Sequence, residues 1–301
     1  MGPVVIDCDP GVDDAIALLW AFASPLDVRA VTVVAGNVPL AFTAANARRV
    51  VTLAGRGDVP VHAGCPRPLV ERLETAEHVH GESGLDGAEL PPADIALADG
   101  HAVDRLIALA HAHGQLTVCA VGPLTNVAVA LVKDPAIAPK LARVVLMGGA
   151  VGDGNVTPSA EFNFYVDPHA AKVVFESGVP IVMLGLDVTE QVRPTPPRLE
   201  RLQALDNAAG RTVAGMLGHY AARAADGGAL HDPLAVGYLL APELFDGRDA
   251  FVEIATEGLC RGRSVVDRRG RTPHAPNARV LMEVDADGVF ECLCAALETL
   301  P

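Results

Sequence analysis

Lysine is almost missing: Lys133, Lys140 and Lys172 are the only three in 301 residues, and the formal net charge is −14. Phosphate contacts depend on clustered cations, so this balance argues against nucleic acid as a partner. The one basic cluster, Arg261, Arg263, Arg268, Arg269 and Arg271, is interleaved with Gly and Asp rather than aromatics and reads as a solvated hairpin. Cysteine chemistry is thin too. Cys8, Cys65, Cys119, Cys260, Cys292 and Cys294 include no Cys-x-x-Cys pair and no histidine at zinc-finger spacing, which leaves reduced, mostly buried thiols. No apolar run reaches membrane-spanning length. Met1 is followed almost at once by the strand Val4–Asp7, with no room for a charged n-region and an apolar h-region. A cytoplasmic protein with no membrane partner is expected. Internal repeats and low-complexity linkers are absent as well.

What is present is apolar sequence in ordered alternation. Half of the residues are hydrophobic, enough to bury the core of one large domain or two. Continuous apolar runs of strand length occur at Val4–Ile6, Val28–Val34, Leu116–Val121, Val144–Met147 and Ile181–Leu186, each followed by apolar residues at helical spacing. The pattern predicts an α/β fold: an open, mostly parallel sheet flanked by helices on both faces. Pro25, Pro135, Pro139 and Gly178-Val179-Pro180 mark element boundaries. A largely helical region from Pro196 to Leu244 precedes a strand at Phe251–Ala255, the basic hairpin, a strand at Arg279–Val284 and a closing helix near Phe290–Leu300. Residues 65–100 and 150–167 break the alternation with long, polar, Gly-rich and Pro-rich sequence, a length that belongs to functional or disordered loops.

The stretch VVIDCDPGVDDAIALLW, residues 4–20, puts Asp7, Asp9, Asp13 and Asp14 between a buried strand and an apolar helix. In a parallel α/β sheet that is the edge where ligands collect. Helix capping accounts for one or two carboxylates, not four. Like charges so confined raise one another's pKa unless a cation intervenes, and oxygen-only ligands point to Ca²⁺ or Mg²⁺ rather than zinc. An EF-hand does not fit, because Gly11 falls one position early and Leu18 stands where the bidentate Glu belongs. A haloacid dehalogenase-type phosphatase, whose strand also ends in Asp-x-Asp, stays open, although its chemistry wants a lysine and all three here lie in helical or connecting stretches.

The opening DCDPGVDDA resembles the signature of the inosine-uridine preferring nucleoside hydrolases. Further matches follow in family order: VAGN ending at Asn37, HGESGLDG from His80, AVGPLTNVA from Ala120, GNVTPSAEFNFYVDP from Gly154, LDVT from Leu186 and HDPLA from His231. The resemblance implies a single domain over residues 1–301 with a Rossmann-type core, hydrolysis of the N-glycosidic bond of ribonucleosides, a Ca²⁺ cofactor, and a homodimer or homotetramer. It implies Asp9, Asp14 and Asp232 as carboxylate ligands, the Val121 carbonyl as a further ligand, Asp7 as an outer support, and Asp9 as the base that activates water. Asp13, Asn37, Asn155, Glu161 and Asn163 would bind the ribose hydroxyls. His231 would contact or protonate the leaving base, and His80 would border the pocket. The stretch MLGHYAARAADGG departs from the family where base-contacting aromatics are expected; Tyr220 is a candidate there and His219 another, so base preference stays open. The phosphatase and a non-catalytic, calcium-dependent nucleoside binder remain as alternative functions.

Overall fold

Apolar runs without polar alternation fold here into strands buried on both faces. The computed structural model describes residues 2–87, 89–223 and 227–301. The chain runs β1 (Pro3–Cys8), α1 (Val12–Phe22), β2 (Asp27–Val33), α2 (Leu40–Leu53), β3 (Val61–Ala63), α3 (Glu77–His80), α4 (Ala102–His113), β4 (Leu116–Ala120), α5 (Thr125–Lys133) and β5 (Leu141–Met147). It continues through α6 (Phe162–Val166), α7 (Pro168–Glu176), β6 (Ile181–Leu184), α8 (Leu186–Thr189), α9 (Pro196–Gln203), α10 (Ala208–Ala221) and α11 (Pro233–Leu240). It ends with β7 (Phe245–Ala250), β8 (Val252–Ile254), β9 (Ser264–Val266), β10 (Ala278–Val284) and α12 (Ala286–Leu297).

Eight strands form one sheet in the order β3-β2-β1-β4-β5-β6-β10-β7, parallel except where β7 pairs antiparallel with β10. The chain builds outward from β1 to β3, then returns to lay β4 on the other side of β1. That reversal opens a crevice beyond the C-terminal ends of β1 and β4. One apolar layer gathers α1, α2, α10, α11 and α12; the other gathers α4, α5 and α7. All eleven residues of α1 are buried, which explains its lack of a polar face. A Cβ on Gly237 would lie 2.8 Å from the Trp20 ring, so glycine lets α11 close on α1. Among the described residues no helix is long and apolar enough to cross a membrane.

Several expected elements shift. Leu186 opens α8 instead of closing a strand. The strand expected at Phe251–Ala255 is the three-residue β8, which pairs only with β9 in a separate sheet. The edge strands β3 and β7 carry no apolar run; β7 reads FDGRDA, with polar residues facing outward on the last strand. The closing helix begins at Ala286, where the Asp285 side chain caps the Gly288 N–H. The long loops are not plain coil, since residues 65–100 contain α3 and residues 150–167 contain α6.

The basic hairpin also departs from expectation. Arg268, Arg269 and Arg271 are exposed as expected, but Arg261 stacks over the Tyr165 ring at 4.1 Å and pairs with Glu71 and Glu74. Arg263 donates to the carbonyls of Val151 and Gly152. These arginines fasten the small sheet over the long loops.

A buried carboxylate ties those loops to the core. Asp167 accepts from Ala170 N–H at 3.0 Å, Leu69 N–H at 2.9 Å and the Thr125 hydroxyl at 2.7 Å, with no surface exposed. Asp167→Ala leaves three donors unpaired and should lower the unfolding free energy by about 2–4 kcal/mol. Urea denaturation should show an earlier midpoint at an unchanged slope; an unmoved midpoint would remove Asp167 from this role.

Candidate active site

Asp7 lies on β1, and Asp9 follows one residue past the strand's end. Asp7 is fully buried. Its Oδ1 accepts from the Thr32 hydroxyl at 2.6 Å and from Asn126 Nδ2 at 2.8 Å, while Oδ2 has no hydrogen-bond partner among the described residues. Burial raises its pKa to about 7, against the lowering effect of those two hydrogen bonds. Asn126 also donates to the Val33 carbonyl and accepts from Cys65 N–H, so it joins β1, β2 and the loop that leaves β3.

Asp9 sits where backbones pass close. Its Oδ2 accepts from Asn37 N–H at 2.7 Å, and its Oδ1 is buried without a hydrogen-bond partner among the described residues. A Cβ on Gly36 would lie 2.1 Å from Oδ2, and one on Gly122 would lie 2.4 Å from Oδ1. Glycine at both places makes room for the carboxylate. Asp14, in the first turn of α1, turns back to accept from Asp9 N–H and Gly11 N–H, each at 2.9 Å, and from Asn37 Nδ2 at 3.0 Å. Asn37 thus braces Asp9 and Asp14 with its backbone and its side chain.

Asp232 enters from the start of α11. Asp13, Asp14 and Asp232 are all buried, and each offers a carboxylate oxygen within 4.8 Å of the others. Burial holds Asp9 and Asp232 well above the usual carboxylate range, and neighbouring charges add to it: Asp14 and Asp13 for Asp9, and Asp13, Asp14 and Asp9 for Asp232. Asp14 is raised by burial and by Asp13. An oxygen-only donor set with an unpartnered buried Asp9 Oδ1 fits a hard divalent cation. The Val121 carbonyl accepts from Asn163 Nδ2 at 3.0 Å, which leaves a second lone pair. Lys133 and Lys172 pair at the surface with Asp104 and Glu176, so neither supplies the cation that phosphatase chemistry requires.

The opposite wall comes from α6. Glu161 caps this helix: its carboxylate accepts from the N–H groups of Asn163 at 2.8 Å, Gly149 at 2.8 Å and Phe164 at 3.2 Å. Burial raises its pKa despite those bonds. Asn155 is exposed, and its Oδ1 accepts from Phe162 N–H at 3.0 Å, bracing the loop that enters α6.

His80, on α3, is buried against the start of α1. Its Nδ1 accepts from Val12 N–H at 3.2 Å, which puts the ring proton of the neutral form on Nε2. Burial lowers its pKa to about 4. Its ring stacks on Tyr220 with centroids 5.6 Å apart. His231 lies within charge range of both Glu161 and His80, and its Nδ1 is 2.8 Å from the Thr189 hydroxyl. His219, on α10, has a buried Nε2 with no hydrogen-bond partner among the described residues. Ala224, Ala225 and Asp226, within the stretch that departs from the family, lie outside the described residues.

Sequence reasoning singled out none of Thr32, Gly36, Gly122, Asn126 or Thr189. The last four lay inside matched motifs; Thr32 carried no signal.

The geometry agrees with three comparisons. The family model for inosine-uridine preferring nucleoside hydrolase matches residues 4–291. The pyrimidine-specific ribonucleoside hydrolase RihA of Salmonella agona is 44% identical over 305 residues, covering 98% of each chain. An uncharacterized protein of Schizosaccharomyces pombe is 46% identical over 310 residues, covering 99% of each. Among solved structures, a purine-preferring ribonucleoside hydrolase from Gardnerella vaginalis superposes with a TM-score of 0.92 at 31% identity over 98% of both chains. A plant nucleoside hydrolase does so with a TM-score of 0.92 at 35% identity over 98% of both. The chain therefore belongs to the inosine-uridine preferring nucleoside hydrolase family and is a ribonucleoside N-glycosidase.

Proposed function

We propose that the enzyme uses Ca²⁺ and that its preferred substrates are pyrimidine ribonucleosides. The observation that carries the metal assignment is the buried, oxygen-only cluster of Asp13, Asp14 and Asp232, with the unpartnered Oδ1 of Asp9 held close to Asp14. Asp9, Asp14 and Asp232 would hold the ion through carboxylate oxygens, and Val121 through its carbonyl, with Asp7 as an outer support. Bound there, Ca²⁺ supplies the charge that lets these acids ionise side by side, and it acidifies a water at the site.

Asp9 is the general base. Its Oδ1 takes the proton of the water that attacks the anomeric carbon, while Asn37 N–H holds Oδ2 in place. Asp13, Asn37, Asn155, Glu161 and Asn163 surround the ribose. The buried carboxylate of Glu161, oriented by three N–H groups, favours the oxocarbenium-like transition state. As the glycosidic bond breaks, its electron pair passes to the base nitrogen and His231 supplies the proton. His80 and Tyr220 border the base as a stacked pair. The reading carries with it a single domain over residues 1–301 acting in the cytoplasm as a homodimer or homotetramer.

Pyrimidine preference draws on the 44% identity to the relative named as pyrimidine-specific, against 31% to the structure named as purine-preferring. Uridine should therefore show a higher kcat/KM than inosine, and the reverse ratio would overturn the preference. Asp14→Ala should abolish Ca²⁺ binding in calorimetry; unchanged affinity would exclude Asp14 as a ligand.

Gly122→Ala tests the placement of Asp9. The new methyl must push the carboxylate aside, and kcat/KM should fall roughly 10²-fold with the circular dichroism spectrum unchanged. Wild-type activity in that variant would mean that the position of Asp9 is not critical. His231→Ala should slow uridine by about 10²–10⁴-fold yet largely spare p-nitrophenyl riboside, whose leaving group departs without protonation. Equal slowing of both substrates would remove His231 as the acid.

A further inference from the structure

LDVT is a matched motif whose polar side chains have no part in the reaction described above. It forms α8, a single turn directly after β6, and its two polar ends do different work. The Asp187 carboxylate accepts from the N–H groups of Val151 at 2.6 Å and Gly152 at 3.0 Å, tethering the loop that leaves β5. Thr189 has no exposed surface and sets its hydroxyl 2.8 Å from His231 Nδ1, across 42 residues of sequence.

The backbone around this contact is stitched on both sides. Thr189 N–H donates to Gly185 O at 3.1 Å, Val192 N–H to Thr189 O at 3.1 Å, and Leu230 N–H to Val192 O at 2.8 Å. The turn that carries Thr189 is therefore bonded to the segment that carries His231. A ring held at Nδ1 by a fixed partner has lost its rotation about χ2, so the direction of Nε2 is set as well.

We propose that Thr189 is a positioning residue for leaving-group activation: it orients the His231 ring so that Nε2 serves the departing base. This rests on the reading of His231 as the acid. In that step the imidazolium, with a proton on each ring nitrogen, gives its Nε2 proton to the base nitrogen, which has received the electron pair of the broken bond. The ring is left as the Nδ1–H tautomer, and the Thr189 hydroxyl accepts that hydrogen bond. The hydroxyl accepts from Nδ1–H before and after the transfer, so the contact holds the ring through the step. Unlike the carboxylate that often partners a histidine, it adds no negative charge beside Asp232.

Thr189→Val keeps the side-chain shape and removes the hydroxyl; Thr189→Ser keeps the hydroxyl. The Val variant should lower kcat for uridine roughly 10–10²-fold, with kcat for p-nitrophenyl riboside and Ca²⁺ affinity unchanged, and the Ser variant should restore uridine turnover. In a His231→Ala background, Thr189→Val should have no further effect, because its route of action is already gone. Should the Val variant fail to fold, Thr189→Ala carries the same comparison with Ser.

Full uridine activity in the Val variant, equal slowing of both substrates, or a Ser variant as slow as Val would each overturn the proposal. If His231→Ala discriminates between the substrates and Thr189→Val does not, this inference alone falls. If His231→Ala slows both alike, the reading of His231 falls and takes this inference with it.

Discussion

Burying Asp7, Asp9, Asp13, Asp14 and Asp232 around one crevice sets like charges against each other where little solvent screens them. The surrounding elements hold those charges in place. Asp14 is drawn back onto two N–H groups at the start of α1, Asn37 bridges Asp9 and Asp14, and Thr32 with Asn126 pins one oxygen of Asp7. These bonds orient the carboxylates without neutralising them, and the desolvation that remains is what a divalent cation would offset. A fold that placed arginine or lysine among them would satisfy the same electrostatics and lose the cation site.

The β1–β4 crevice makes this arrangement possible. Because the chain reverses direction at β1, two strand ends open side by side, and the loops after β1, β2, β4 and β5 can all reach one point. The sheet supplies rigidity there. Gly36 and Gly122 close on Asp9 from two different loops, so the carboxylate is held by backbone on both sides and not by flexible side chains alone.

What the sequence makes legible is what is local or repeated. The aspartates of residues 7–14 and the apolar runs of the inner strands lie in short contiguous stretches whose spacing states their purpose. Asn126 reaching Asp7 across 119 residues, Thr189 meeting His231 and Arg261 covering Tyr165 are products of the tertiary fold, and no periodicity announces them. The edge strand β7 was invisible for a different reason: one side of it faces solvent, so burial imposes little pattern on FDGRDA. Asn155 and Glu161 were legible as polar residues in a Gly-rich segment, but not the number of backbone N–H groups they satisfy there, because that depends on where α6 begins.

The two ends of the substrate, on the proposed reading, meet different kinds of structure. The sugar side is built from strand ends and tight glycine contacts, where a shift of one backbone disturbs several carboxylates at once. The base side is built from α3, a single-turn helix, and α10, joined through the stack of His80 on Tyr220. Changes in α10 can therefore alter the base pocket while leaving the crevice intact. Such a division fits a solved relative named as purine-preferring that shares the fold at a TM-score of 0.92 beside a curated relative at 44% identity named as pyrimidine-specific. On the proposed reading the strand ends serve the bond that is broken, and the helices above them choose the base that leaves.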